Sequence, residues 1–340
     1  MNPTVAIIGS GFGMYCLLPA FYNTKQCDVV SICGKDSKRM SNFCKKYNVK
    51  QYNDWKEMIQ KERPDAIAVA VIPKNQFEII NYALEKKIAV FAEKPLTVNY
   101  ETSLQLCQLA KKYNLPNMID FEFPEIPEWV NAKNIIDNEK IGKISSVELN
   151  WNFLSYDLAN NIKSWKTDIE QGGGALSLVF SHVFYYLEYF IGKIKSIDCS
   201  LTSSEKSLNG GDTKITVKLI FENGCNGLVN VDISSNEDQK HIIKFFGKKG
   251  NLSLENYSNN FVDNFKLKLD IDGELQNIPI QKVDFLEEKT EDPRIKIVTN
   301  LTKKFVNWCN TDVSTKPNFE DGLRVQKLID LARNSNAKNS

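Results

Sequence analysis

The chain has 340 residues and carries 43 Lys and Arg against 42 Asp and Glu, a formal net charge of +1. That length accommodates two domains with real cores, and 42% apolar with 25% charged residues is the balance of a soluble globular protein. Near-neutrality, and the lack of a basic stretch interleaved with aromatics, argue against nucleic acid or a membrane as partner.

The first third reads as alternating strands and helices. Strands are expected at 5–8, 28–33, 65–72, 88–92 and 117–121. Helical periods begin at Tyr15–Phe21 and continue over 37–47, 76–86 and 100–113. Strands apolar on both faces, separated by helices, imply a parallel sheet covered by helices. Pro124 and Pro127 mark the junction, so one domain is expected over 1–121 and a second over 122–340. In the second, 128–138 reads as a helix, and from Ile144 the apolar period becomes two, through Val147, Leu149, Trp151 and Phe153. The apolar stretch 176–191 is short for a membrane span and holds Ser181, His182 and Glu188, so a buried helix is expected. Further strands are expected at 196–202, 214–221, 228–233, 241–246 and 265–271, with a hairpin turn at Glu222-Asn223-Gly224. The fold class is thus α/β: a doubly wound parallel sheet, then an α+β domain on an open, mainly antiparallel sheet. Asn334 to Ser340 reads as a polar tail.

The eight cysteines form no C-x-x-C pair, and the chain holds only two histidines, His182 and His241. No metal site is expected; free thiols in a reducing cytoplasm are. The opening Met1-Asn2-Pro3-Thr4 lacks a basic region, so no signal peptide is expected.

Four stretches carry candidate chemistry. After the first strand come Gly9, Ser10, Gly11, Phe12 and Gly13. Glycines at a strand-to-helix turn let backbone N–H groups approach a pyrophosphate. The third glycine is displaced by one from G-x-G-x-x-G, and a plain glycine turn also fits. The second strand ends at Gly34, where an NAD site usually has an acid, and Lys35, Asp36, Ser37, Lys38 and Arg39 follow. These cations suit a 2′-phosphate, so NADP(H) is favoured over NAD(H). Alternatively Ser37 caps the next helix, the cations are solvated, and Asp36 reaches the ribose. Third, Glu93-Lys94-Pro95 closes the strand 88–92. A lysine there lies where open α/β sheets bind ligands, and beside a positive ring it suits the proton transfer of hydride chemistry. A plain surface lysine is the other reading. Fourth, Ser164-Trp165-Lys166-Thr167-Asp168 and Gly172-Gly173-Gly174 precede a helix bearing His182. The glycines would let a ligand approach the helix N-terminus, and His182 is either a substrate contact or a satisfied core residue.

Together these motifs resemble the Gfo/Idh/MocA family, named for glucose–fructose oxidoreductase, inositol dehydrogenase and a rhizopine-catabolism protein. The resemblance runs through the glycine opening, Pro73, Phe91 to Leu96, Trp165 to Gly174, His182, Phe246 to Leu252 and the closing helix from Phe319. It implies a Rossmann domain, a second domain on an open sheet, NAD(P), and a sugar, cyclitol or sugar-nucleotide substrate. It places Lys94 and His182 on catalytic positions and adds Pro73, Glu93 and Lys94 itself to the cofactor contacts. Glu122, Trp165, Lys166 and Tyr186 are the further candidates for substrate contact. The stretch from Val30 to Lys38 is similar to NADP-using members. Three positions depart from the family pattern: Leu178 stands for a common aspartate, Phe77 is near a common histidine, and Pro124 replaces a frequent arginine. The expected function is hydride transfer at a hydroxyl or carbonyl carbon by a homodimer or homotetramer. The alternative is a cofactor-binding sensor or assembly protein with little catalysis.

Overall fold

The structure, a computed structural model, describes residues 2–205, 207, 209–280 and 292–339. The chain forms two compact units, Met1–Glu122 with Phe285–Gln326, and Phe123–Asp284 with Lys327–Ser340.

In the first unit, six strands form a parallel sheet: β1 (Thr4–Ile8), β2 (Asp28–Cys33), β3 (Lys50–Tyr52), β4 (Ala66–Val69), β5 (Ala89–Ala92) and β6 (Asn117–Ile119), in the order β3-β2-β1-β4-β5-β6. Residues 66–69 and 89–92 are buried throughout, as sheet covered on both faces requires. The helices are α1 (Leu18–Thr24), α2 (Lys38–Tyr47), α3 (Trp55–Glu62), α4 (Pro73–Glu85) and α5 (Tyr100–Lys112). A π-helical turn, Gly13–Leu17, leads into α1. Ser37, Asp54 and Asn99 cap α2, α3 and α5 by accepting from the N–H of Met40, Glu57 and Thr102. The strand order reverses between β1 and β4, the place where doubly wound sheets open a ligand crevice. Sequence reasoning did not anticipate β3 and α3. The strand is only three residues long and half-polar, whereas Asp54-x-x-Glu57 is a readable helix start.

The second unit begins with α6 (Pro127–Asp137) and β7 (Ile144–Asn152), then α7 (Tyr156–Ala159), α8 (Ala175–Leu178) and α9 (Phe180–Ile191). Then follow β8 (Ile194–Thr202), β9 (Lys214–Phe221), β10 (Asn226–Asp232), β11 (Lys240–Gly247), β12 (Gly250–Asn256), β13 (Lys266–Ile271) and β14 (Glu274–Asn277). The sheet order is β14-β13-β12-β11-β7-β10-β9-β8, antiparallel except where β7 pairs β10 in parallel. The expected hairpin joins β9 to β10, with Gly224 at φ 87°. Along β9, Ile215, Val217, Leu219 and Phe221 point into the core, while Lys214, Lys218 and Ile220 are exposed.

The single helix expected over 176–191 is broken at Val179 (φ −113°), which separates α8 from α9. Among the described residues no single helix is long and apolar enough to cross a membrane; the bent pair Ile169–Leu178 and Phe180–Ile191 passes on length and composition only. The residues of α9 are mostly buried in the fold.

Two helices close the chain. The first, α10 (Arg294–Thr311), belongs to the first unit, where Phe305 meets Phe21 and Phe91 edge-on and the Thr302 hydroxyl donates to the Ala20 carbonyl. The second, α11 (Phe319–Asn339), takes in most of the expected polar tail. There Ser335 Oγ and Asn336 Oδ1 accept from the N–H groups of Cys199 and Leu201 on the edge strand β8. The tail's polarity thus satisfies backbone donors at a sheet edge. The cysteines are free thiols, most of them buried.

Candidate functional site

The glycine loop follows β1 in the first unit. Gly9 sits at φ 134°, and a Cβ there would stand 2.2 Å from the Ala70 carbonyl oxygen. Gly13 packs against Ile7 and Ala70, in the helix-to-strand role of the third glycine of a dinucleotide loop. A Cβ on Gly11 would meet nothing within 4 Å, so its backbone is open to close approach. Ser10 is exposed and Phe12 half-buried. This loop fits a pyrophosphate: its tight glycines face protein, and its open glycine faces space.

Gly34 follows β2 directly, and a Cβ there would lie 2.8 Å from both Ser10 Cβ and Met40 Cε. An acid at this position would have to displace its neighbours. Asp36, the alternative ribose partner, accepts from Gln51 Nε2 at 2.9 Å. Ser37 is the helix cap. Lys35, Lys38 and Arg39 are exposed, and the Arg39 guanidinium lies 5.7 Å from the Tyr15 ring centroid.

The ends of β5 and β6 gather the charged residues. The Glu93 N–H donates to the Val69 carbonyl, and the Asp120 N–H to that of Ala92, so both residues follow the last rungs of the sheet. Glu93 and Lys94 are half-buried, and the Lys94 N–H donates to the Glu93 carboxylate at 2.9 Å. The Lys94–Pro95 peptide is cis. Gln76, buried on α4 one turn after Pro73, holds this corner. Its side-chain amide donates to the carbonyls of Glu93, Pro95 and Leu96 at 2.7, 2.9 and 3.0 Å. Asp120 is fully buried, and neither carboxylate oxygen has a hydrogen-bond partner. Glu122 is buried close by. Burial pushes the Glu93 carboxyl up to about 7 against the pull of Lys94. Burial, then Glu122 and Glu93, carries Asp120 well above the carboxylate range, and Glu122 is raised by burial too. Arg294, at the start of α10, acts on the same group but is bidentate to Asp292, Nε–Oδ1 3.0 Å and Nη2–Oδ2 2.7 Å. Its guanidinium also lies 4.8 Å from the Phe12 ring centroid. Gln76, Asp120, Asp292 and Arg294 were not legible as site residues in the sequence. A polar residue between apolar strand positions, Asp120 after Met118-Ile119, was the one available signal.

In the second unit, Ser164 caps the short turn Trp165–Thr167, and Lys166 Nζ lies 3.4 Å from Asp157 Oδ1. Gly173 and Gly174, just before α8, do not leave room for a ligand. A Cβ on Gly173 would stand 2.0 Å from the Trp165 carbonyl oxygen, and one on Gly174 would stand 2.4 Å from Asp212 Oδ1. Asp212 itself caps α8, accepting from the Leu176 N–H at 2.6 Å. The protein thus makes the close approach expected of a ligand. Leu178 ends α8, and His182 stands in the first turn of α9, buried, its ring 5.0 Å from that of Phe123. Tyr186 does not reach a surface. It is wholly buried, with its hydroxyl 3.1 Å from His241 Nε2. Among the described residues no group of three His, Cys, Asp or Glu is placed to hold a metal ion.

Comparison with known proteins bears on both units. The NAD-binding Rossmann-fold domain of the Gfo/Idh/MocA oxidoreductases matches residues 4–121, and their C-terminal alpha/beta domain matches residues 133–340. An uncharacterized oxidoreductase of Synechocystis sp. is 25% identical over 348 residues, covering 98% of this chain and 93% of that protein. Levoglucosan dehydrogenase of Pseudarthrobacter phenanthrenivorans is 28% identical over 189 residues, 53% of this chain and 47% of that protein. A levoglucosan dehydrogenase solved in complex with NADH and levoglucosan superimposes with a TM-score of 0.87 at 18% identity, covering 100% of this chain and 98% of that one. An aldose-aldose oxidoreductase from Caulobacter crescentus does so with a TM-score of 0.86 at 14% identity, covering 100% and 99%. These structural likenesses show the fold. With both of its domains matched in order, the chain belongs to the Gfo/Idh/MocA oxidoreductase family.

Proposed function

We propose that this protein transfers hydride between NADP(H), in preference to NAD(H), and a hydroxyl or carbonyl carbon of a sugar, cyclitol or sugar-nucleotide-like substrate. The observation that carries the reading is in the first unit: an open glycine loop after β1, and a Glu93-Lys94-Pro95 corner after β5 locked by Gln76. A bound nicotinamide would supply the hydride donor or acceptor. Gly9, Ser10, Gly11, Phe12 and Gly13 hold the pyrophosphate, with Gly34, Pro73 and Glu93 as further cofactor contacts. Lys35, Lys38 and Arg39 bind the 2′-phosphate. Support for that comes from Asp36 being engaged by Gln51 and from the crowding at Gly34, where an acid would have to displace Ser10 and Met40. Lys94 gives or takes the hydroxyl proton. His182 orients the reacting oxygen, and Glu122, Trp165 and Lys166 add substrate contacts; these roles rest on matching positions in the family pattern. The substrate class is supported by relatives named as sugar dehydrogenases, of levoglucosan and of D-xylose.

The test is calorimetric binding of NADPH and NADH to the whole chain and to Lys38→Ala. NADPH should bind at least about tenfold tighter, and the gap should close in the variant. Preference for NADH would overturn the phosphate assignment. Tight NADPH binding with no turnover on any sugar-like alcohol or carbonyl would favour the sensor reading, toward which Leu178 in place of a polar residue points. We further propose a homodimer or homotetramer joined through the open sheet face, where Ile220 and Leu228 are 47% and 42% exposed. A monomer by light scattering at micromolar concentration would refute it.

A further inference from the structure

The glycine loop offers backbone N–H groups but no positive side chain, since Gly9-Ser10-Gly11-Phe12-Gly13 holds neither lysine nor arginine. A cation reaches it from far along the sequence. Arg294, at the start of α10, lays its guanidinium 4.8 Å from the Phe12 ring centroid and 5.9 Å from that of Tyr15. Phe12 stands between Gly11, whose backbone is open, and Gly13, which packs on Ile7 and Ala70. The Tyr15 hydroxyl, pushed up by burial, is drawn back down by Arg294, so it too lies close to the guanidinium. Asp292 fixes how that guanidinium is turned. It accepts from Nε at 3.0 Å, from Nη2 at 2.7 Å and from the Arg294 backbone N–H at 2.9 Å. A guanidinium has two edges that each match a carboxylate or a phosphate, and Asp292 takes one of them. Asp292 is the carboxylate that Arg294 pairs among the described residues, and the arginine side chain remains 35% exposed. Its other edge is therefore available to an anion beside the loop.

Arg294 also acts electrostatically on Glu93, Asp120 and Glu122 at the ends of β5 and β6, so it lies within reach of both the glycine loop and the Lys94 corner. Given the cofactor reading above, on which this inference rests, a dinucleotide runs from that loop to that corner, and its pyrophosphate passes Arg294. We propose that Arg294 binds the phosphate on the nicotinamide side of the pyrophosphate, through the guanidinium edge that Asp292 leaves. The loop amides hold the phosphate on the adenosine side. Backbone N–H groups supply only partial positive charge to an anion, whereas an oriented guanidinium supplies a whole one with two directed donors. Phe12 carries the flat face of the guanidinium, and Asp292 is a positioning residue that acts through Arg294. Neither Arg294 nor Asp292 touches the reacting atoms.

The test is calorimetry on the full chain with three ligands of decreasing length. NADPH is whole, ADP-ribose 2′-phosphate lacks the nicotinamide, and adenosine 2′,5′-bisphosphate stops at the adenosine-side phosphate. Should NADH be the preferred form, then NADH, ADP-ribose and AMP make the same series. Arg294→Gln should weaken the first two ligands by a common factor of about 10- to 100-fold and leave the third within about twofold, as loss of a charged hydrogen-bonding group to one phosphate requires. Arg294→Lys keeps the charge and loses the fork. It should cost the same two ligands about three- to tenfold, and it carries the test if the glutamine variant does not fold. Equal loss on all three ligands would make Arg294 a tie between α10 and the loop. Loss on NADPH alone would place it at the nicotinamide, and no loss on any would leave both phosphates to the loop. Each of these overturns the inference while the cofactor reading stands. Failure of the unaltered chain to bind any of the ligands would remove that reading and this inference together.

Discussion

In the first unit the buried ionisable groups are acids gathered at strand ends, where Asp120 has no hydrogen-bond partner and Glu93 is pushed up to about 7. In the second, a buried histidine and tyrosine sit inside an aromatic core. His241 stacks on Trp151 with ring centroids 4.1 Å apart and bonds Tyr186, and burial lowers its pKa to about 3. The second arrangement is neutral and wrapped by Phe123, Trp129 and Phe265, which is how a core accommodates polar rings. The first leaves the buried Asp120 carboxylate without a hydrogen-bond partner, which costs stability and so marks a place kept for something other than packing. Burial alone does not separate the two regions. The charge of the groups does: carboxylates at the strand ends of the first, neutral rings in the aromatic core of the second.

The comparison breaks most sharply at Lys94. If the acidic corner is the working end of the first unit, Lys94→Ala should lower kcat/KM by about 100- to 10,000-fold, as loss of a general acid–base does. The fold should change little, since Lys94 is half-buried rather than part of the core. Steady-state kinetics on a turned-over sugar would show it. Near-normal turnover would remove Lys94 from the mechanism.

How much of this was legible in the sequence follows the range of the interactions. The glycine loop, the Gly34 strand end and Glu93-Lys94-Pro95 are local patterns, and each lies at a strand end as expected. The alternation of β1, β2, β4, β5 and β6 was read from apolar runs, and β7 to β11 and β13 largely from a period of two, whereas β3, β12 and β14 were not read. Grouping Arg294–Thr311 with the first unit was not read, although Ile295, Val298, Leu301 and Phe305 repeat at helical spacing. Which sheet such a helix covers depends on contacts across more than 200 residues. The break at Val179 and the capping of α8 by Asp212 were hidden for the same reason. The three glycines looked like room for a ligand because the atoms filling that room come from elsewhere in the chain. Asp120 and Gln76 are ordinary letters until their surroundings are known.

The two regions should also titrate in opposite directions. Glu93, raised to about 7 from an ordinary 4.5, keeps its proton in the fold after the unfolded chain has lost it. Stability linked to it is present below about 4.5 and is lost as pH rises through about 7. His241, lowered to about 3 from 6.5, stays neutral in the fold while the unfolded chain takes up a proton. Its contribution is present above about 6.5 and is lost as pH falls toward 3. His241→Phe should therefore flatten the acid limb of the second unit, a slope of up to about 1.4 kcal/mol per pH unit. At neutral pH the variant should cost about 1–3 kcal/mol through the abandoned Tyr186 hydroxyl. Hydrogen exchange read peptide by peptide separates the units. An acid limb unchanged in the second unit would mean that His241 is protonated in the fold.

The smallest expected effect tests whether the corner is positioned or merely tethered. Gln76 spreads the two hydrogens of one amide over three carbonyls around Lys94, so Gln76→Ala leaves those acceptors facing an apolar gap. The stability cost should be about 1–3 kcal/mol, as for lost buried hydrogen bonds. If Gln76 acts through Lys94, kcat should fall by roughly tenfold with KM little changed, and adding Gln76→Ala to Lys94→Ala should lower kcat no further. A tether would behave otherwise: stability would fall, kcat would hold, and the two substitutions would add. The argument for position rests on Glu93. Its carbonyl is gripped by Gln76 while its carboxylate accepts from the Lys94 N–H, so displacing the one displaces the lysine.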